Sequence, residues 1–130
     1  MSSNLHITKF DSAKAKEEVS YQLQGHHEHD DCIRMAYEWL DAQNPTKTPL
    51  KRQFPLKHLI EAWAGRYVSQ SDVEVAAHLH PHITGSYPFF SFSSQLVEPS
   101  IERLECIEEA MKHSPNRNRH REEDYKTSEN

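Results

Sequence analysis

Residues 74–85 read EVAAHLHPHITG, and this stretch has incompatible interpretations that lead to different folds. Val75, Ala76 and Leu79 have the spacing of the buried face of a helix. Three histidines instead recur at every second position, as metal ligands or strand residues would: His78, His80 and His82. The rest of the chain decides between a helix, a strand and a metal site.

The composition indicates one small domain with a modest core. The chain has 130 residues, of which 35% are hydrophobic, and this length suits a single domain. No apolar run approaches the roughly 18 residues of a membrane span, and the N-terminus lacks the apolar centre of a signal peptide. We therefore expect a cytoplasmic protein. Cys32 and Cys106 are isolated in the sequence, so both are predicted to be reduced and buried.

Positive charge is concentrated in one segment of an acidic chain. The formal net charge is −5, yet residues 44–70 carry five Lys or Arg and a single acidic residue. We call these five cations the basic island: Lys47, Lys51, Arg52, Lys57 and Arg66. A solvated basic surface is the alternative interpretation, because charged residues usually face water.

Apolar periodicity predicts an all-α or mostly α domain of about four to five helices. DDCIRMAYEWLDAQNP predicts a helix capped by Asp30 or Asp31, and Pro55 opens a second helix. We predict an N-terminal arm or helix over residues 1–27, a helical domain over 28–113 and a disordered tail over 114–130, where the apolar period is lost.

The run from Glu74 to Leu79 resembles the first helix of helix-turn-helix DNA-binding motifs, which often read EVAxxL. The family places a small residue where its two helices cross, because a larger side chain would hold the second helix away. Ala76 matches that position. The turn here, His80 to Gly85, is longer than the family's, which displaces the second helix. The resemblance implies a scaffold helix over residues 72–79.

Residues 88–97 are the predicted second helix of that pair. Pro88 and Pro99 bracket the segment at a helix's length. The same residues also alternate as a strand would, so a strand stays open as the alternative. If the segment is a helix, four residues point outward to DNA: Phe90, Ser91, Ser94 and Gln95. A last helix is predicted over residues 100–113, with a stripe of Ile101, Leu104, Ile107 and Met111.

Metal and enzyme chemistry find little support in the spacing of the side chains. His26, His27 and His29 with Asp30, like the three histidines of residues 78–82, lack the i, i+4 spacing that puts two imidazoles on one side of a helix. No nucleophile motif or phosphate-cradling glycine loop occurs. We therefore predict no metal, no cofactor and no enzyme activity.

Two functions from different classes remain. The first is a small DNA-binding protein, such as a transcriptional regulator, with Lys47, Lys51, Arg52 and Lys57 on phosphates and residues 88–97 in the groove; a homodimer would strengthen such binding. The second is an acidic protein-interaction module, an adaptor or inhibitor of a basic partner. Four carboxylates of the last predicted helix would contact that partner: Glu102, Glu105, Glu108 and Glu109.

Overall fold

A computed structural model describes residues 29–129, and helices dominate this part of the chain without forming an all-α fold. The predicted mostly helical architecture is confirmed, and small strand pairs are added to it. The helices are α1 (Asp30–Asp41), α2 (Leu56–Ala64), α3 (Gln70–Leu79) and α4 (Ser114–Arg117), the strands are β1 (Gly85–Ser86), β2 (Phe89–Phe90), β3 (Val97–Glu98) and β4 (Thr127–Ser128), and 3₁₀ turns span Ile101–Leu104 and Glu122–Asp124. The arm predicted for residues 1–27 lies outside the described residues.

Helix α1 is the centre of the core. Its apolar side chains are almost fully buried, with Trp39 and Ile33 both at 0% exposure. The cap is His29 and not the predicted Asp30 or Asp31, because the His29 Nδ1 accepts the Asp31 backbone N–H at 3.0 Å. Asp31 is instead buried, where it accepts hydrogen bonds from Arg34 and from the Glu109 backbone.

Helix α2 ends at a glycine that also permits a close contact. Gly65 adopts the left-handed conformation at φ 64°, and its N–H donates to the Glu61 carbonyl at 2.8 Å. A Cβ built at Gly65 would lie 2.7 Å from the Met111 Sδ. The residue therefore stops the helix and lets the chain near Met111 approach it.

Helix α3 contains the EVAAHL run and packs mainly against α1. Its cap is Ser69, because Ser69 and Asp72 form a reciprocal capping box. Ala76 is fully buried. The helix ends at Leu79, before Pro81, as predicted. The scaffold helix thus forms, but its principal packing partner is an earlier helix.

The predicted second helix over residues 88–97 is wrong, and the strand alternative is closer to the structure. Phe89–Phe90 pairs antiparallel with Gly85–Ser86 in a short hairpin. Gly85 has φ 98°, and a Cβ there would lie 2.6 Å from the Phe89 carbonyl. The backbone of this segment also bonds to the loop after α1, where Thr46 N–H donates to the Ser91 carbonyl at 3.0 Å. A helix would need those carbonyls for its own bonds.

The predicted helix over residues 100–113 is also wrong. Only Ile101–Leu104 forms a 3₁₀ turn, and turns follow it. Of the predicted stripe, Leu104 is buried while Ile101 and Met111 are 46% and 41% exposed. The reason is that the backbone of this segment hydrogen-bonds to the end of α2. Met111 N–H donates to the Ala64 carbonyl at 2.8 Å, and Met111 has a φ of 63°, which a helix does not allow.

Residues 114–129 pack against the core, although their composition predicts a disordered tail. Strand β4 pairs parallel with β3, Val97 opposite Thr127. Tyr125 is buried, and its hydroxyl accepts the Trp39 indole N–H at 2.9 Å. Tyr125 and the β3–β4 pair therefore attach this segment to the core, although its sequence has no apolar periodicity.

The two cysteines differ in exposure, although both were predicted to be buried. Cys32 is buried as predicted, but Cys106 is exposed, because it lies in the turns that replace the expected helix. Neither cysteine forms a disulfide within the described part of the chain. Among residues 29–129, no helix is long and apolar enough to cross a bilayer.

Candidate functional site

A basic cleft of about 420 Å³ lies between the loop that follows α1 and the segment that follows β2. Five polar side chains of this lining come from three separate parts of the chain: Lys51 and Arg52, Ser94 and Gln95, and Lys126. Four of these five residues are among the predicted DNA-binding residues. The fold brings them together without the helix that was expected to carry two of them.

Backbone hydrogen bonds fix the walls of this basic cleft. Leu50 N–H donates to the Phe90 carbonyl at 2.9 Å, and Ser93 N–H donates to the Asn44 carbonyl at 2.8 Å. Lys126 N–H donates to the Leu96 carbonyl at 2.9 Å, which brings the C-terminal segment to the cleft. The position of the cations therefore depends on the pairing of three distant segments.

The charge of the basic cleft has one sign. None of its lining residues is acidic. Ion pairs within residues 29–129 engage other cations, and none involves Lys51, Arg52 or Lys126. The Arg52 guanidinium lies over the Phe54 ring, 4.7 Å from its centroid. Three cations converge here, so the cleft is suited to an anion.

The other predicted DNA-binding residues lie elsewhere or point inward. Lys47 is exposed in the same loop, outside the cleft lining. Lys57 forms an ion pair with Glu61 on α2 and lies over the Tyr67 ring. Phe90 and Ser91 do not point outward as expected: they are 2% and 1% exposed. The carbonyls of Phe90 and Ser91 accept hydrogen bonds from the N–H groups of Leu50 and Thr46. These two buried residues therefore hold the loop that lines the cleft.

The histidines of residues 78–82 do not converge as ligands. His80 is buried, and its Nε2 lies 2.8 Å from Asp41 Oδ1 while its Nδ1 accepts the His82 N–H at 3.1 Å. Both ring nitrogens are therefore engaged, and Nε2 carries the proton. Within residues 29–129, no group of three His, Cys, Asp or Glu side chains is arranged to hold a metal. His26 and His27 lie outside the described residues.

A buried charged network joins α1 to the C-terminal segment, and no local pattern of residues predicts it. Arg103 Nη1 donates to Glu38 Oε1 at 2.8 Å and to Asp41 Oδ2 at 3.0 Å, and the rest of the guanidinium binds the Glu129 carboxylate. Burial disfavours the Glu129 charge, but the hydrogen bonds from Arg103 and the Ser100 N–H outweigh it and lower the pKa of Glu129. The network is structural, since its donors and acceptors are directed at one another.

The predicted acidic surface is only partly retained. Glu102 lies in the Ile101–Leu104 turn, Glu105 and Glu108 follow that turn, and all three are exposed. Glu109 instead accepts from Arg66 Nε at 3.1 Å, and this bond lowers the pKa of Glu109. Arg66, the fifth cation of residues 44–70, is thereby neutralised and buried.

A second cleft of about 520 Å³ lies between α2 and the C-terminal segment, and its charges are mixed. Arg119 and Arg121 line it together with Glu61 and Asp124. Arg121 Nη2 is 3.5 Å from Asp124 Oδ1. Glu61 and Asp124 therefore offset the positive charge of the two arginines. The smaller basic cleft is therefore the better anion site.

Comparison of the chain with protein-family models, with curated proteins and with solved structures gives no match in any of the three.

Proposed function

We propose that this protein binds DNA by its sugar–phosphate backbone at the basic cleft. The observation that carries the proposal is the convergence of Lys51, Arg52 and Lys126 in a cleft that no carboxylate lines. Lysine and arginine supply most protein contacts to phosphate, and hydroxyl and amide side chains such as Ser94 and Gln95 add hydrogen bonds. The helix-turn-helix mode of reading a groove is not part of this proposal, because residues 88–97 form no helix.

The acidic remainder of the chain favours a single orientation on DNA. With a net charge of −5, most of the surface repels a polyanion, and the basic cleft offers the favourable approach. Binding through backbone contacts carries little sequence information. We therefore expect modest affinity, weak sequence preference and strong dependence on salt.

Direct binding with matched charge-reversal variants tests this proposal. A fluorescein-labelled random-sequence oligonucleotide, single-stranded and as a duplex, would be titrated at low salt and followed by anisotropy. Lys51→Glu and Lys126→Glu should each weaken binding by about tenfold or more, because each removes a charge-assisted contact worth about 1.5–3 kcal/mol. Lys112→Glu is the control, since Lys112 is exposed outside the cleft lining and its reversal changes the net charge equally.

Two results would contradict the proposal. One is the absence of binding to either form of DNA at micromolar protein. The other is an equal loss in Lys51→Glu and Lys112→Glu, which would mean that net charge alone governs the interaction.

The exposed Glu102 and Glu105 support a second candidate function, the acidic interaction module that binds a basic protein. A fluorescent arginine-rich peptide is the probe. This function predicts that Glu102→Lys and Glu105→Lys weaken peptide binding while Lys51→Glu leaves it unchanged. A peptide that binds all variants equally would contradict it. Homodimer formation stays a prediction, to be measured by sedimentation equilibrium.

A further inference from the structure

Arg52 has the geometry of a stacking platform. Phe54 is buried at 8% exposure, and the Arg52 guanidinium lies over its ring, 4.7 Å from the centroid. Arg52 itself is exposed. The aromatic ring therefore lies on one side of the guanidinium, while Arg52 as a whole remains accessible to solvent. Arginine planes of this kind stack on nucleic-acid bases.

The wall opposite Arg52 supplies short polar side chains at a fixed position. Ser94 and Gln95 are exposed there, and Gln95 N–H donates to Ser93 Oγ at 3.1 Å, which holds the turn. A base resting on Arg52 would meet these hydrogen-bonding groups at its edge. Lys51 and Lys126 lie in the same cleft, where they would meet the adjoining phosphates.

We infer, resting on the DNA-binding function proposed above, that the basic cleft takes unpaired, single-stranded DNA with one base stacked on Arg52. A duplex keeps its base faces inside the stack, so it has none to offer to the guanidinium. Major-groove readout of a duplex uses a helix or ribbon that enters a groove about 12 Å wide. Lys51, Arg52 and Lys126 instead line a concave cleft between loop segments, which a flexible strand can follow.

Three ligands of the same length separate stacking from phosphate contact. They are a mixed-sequence single strand, the same strand paired with its complement, and the same strand with its central nucleotides replaced by base-free sites. Single-stranded DNA should bind at least about fivefold tighter than the duplex, because stacking of one base is worth that factor or more. The base-free strand should bind like the duplex or more weakly.

The decisive variant is Arg52→Lys, which keeps the charge and removes the planar group. It should weaken single-strand binding by about fivefold or more and change duplex binding by less than about twofold. Arg119→Lys is the matched control, because Arg119 is exposed outside the lining of this cleft, and it should change neither. A 2-aminopurine base in the central positions should be quenched on binding to the wild type and less so with Arg52→Lys, which reports stacking independently of affinity.

Failure of this inference is distinguishable from failure of the proposed function. If neither DNA form binds, the DNA-binding function fails and the inference with it. If both forms bind equally, or if Arg52→Lys or the base-free strand behaves like its parent, only the inference is overturned. A matched RNA strand that binds about tenfold tighter than the DNA strand would overturn the assignment to DNA, since both polymers offer the same bases and phosphates.

Discussion

Removal of Arg103 should destabilise the fold far more than removal of an exposed arginine. In Arg103→Met, three carboxylates lose their cation: Glu38, Asp41 and Glu129. The side chains of Glu38 and Asp41 are 5% and 1% exposed, so water cannot take the place of the guanidinium. Breaking a buried ion pair from one side costs about 3–5 kcal/mol, a large share of the roughly 5–15 kcal/mol that stabilises a small domain.

Urea unfolding at pH 7, followed by tryptophan fluorescence, measures this change. With an m value of about 1.5 kcal/mol/M, typical of a small domain, the midpoint should fall by about 2–3 M. Arg119→Met is the control, because Arg119 is exposed, and it should shift the free energy of unfolding by about 0.5 kcal/mol or less. A loss below about 1 kcal/mol in Arg103→Met would refute the assignment of Arg103 as the cation of a buried network.

The pH dependence gives a second readout of the same network. The pKa of Glu129 is lowered in the folded protein despite its burial, so its stabilising contribution is present above its unfolded pKa of about 4.3 and is lost as pH falls through the folded pKa. The difference between wild type and Arg103→Met should therefore be full at pH 7 and shrink below about pH 4.3. A constant difference down to pH 3 would contradict this reasoning.

Three further variants test separate parts of the fold by urea unfolding. Tyr125→Phe should cost about 1–3 kcal/mol because it leaves the buried Trp39 N–H without its acceptor; an unchanged midpoint would argue against that bond. Gly65→Ala should cost more than about 1 kcal/mol. Met111→Ala in the same chain should rescue it only in part, because it removes the Sδ contact but leaves the Met111 Cα at 3.0 Å and the φ of 64°; full rescue would contradict the backbone argument. Burial, with Asp41 and Glu38 nearby, raises the pKa of Tyr37 to about 12, so stability is present below the unfolded pKa of about 10 and is lost as pH rises toward 12; Tyr37→Phe should flatten that decline, and an identical decline would contradict it.

Local patterns predicted the three long helices, because the residues that specify each helix lie within or next to it. Apolar residues three and four positions apart locate α1 and α2, and Pro81 locates the end of α3. The caps were less predictable. His29 and Ser69 are the caps because their extended backbones present a side-chain acceptor to the helix start, and a propensity for Asp or Ser does not specify which neighbouring residue does so.

The predictions failed where the hydrogen-bond partners come from distant segments. The spacing of Phe89, Phe92 and Leu96 suits a helix, yet Thr46 and Leu50 donate to this backbone from about forty positions away. Residues 101–111 likewise have helical spacing but terminate α2. Tyr125 anchors the last segment to Trp39 although its neighbours are polar. Apolar periodicity reports which face is buried, and it does not report which strand or loop supplies the partners.

Only part of the candidate site could be predicted from the sequence, because some of its residues come from distant segments. Clustering of charge identified Lys51 and Arg52, and their position in a loop follows from the prolines around them. Ser94 and Gln95 were selected from a helix that does not form, yet they reach the cleft. Lys126 could not be predicted as a residue of the cleft, because the composition of its segment predicts disorder. The pairing of the adjacent strand β4 with β3 brings Lys126 to the cleft.

The salt dependence of DNA binding tests the role of the basic cleft most directly. Three lysine and arginine side chains line the cleft, so a plot of log K against log salt concentration should have a slope of about −2 for single-stranded DNA and about −3 for a duplex. Lys51→Ala should bring that slope closer to zero by about 0.7–0.9, while Lys112→Ala leaves it unchanged. A wild-type slope near zero, or the same change in both variants, would contradict phosphate binding at this cleft.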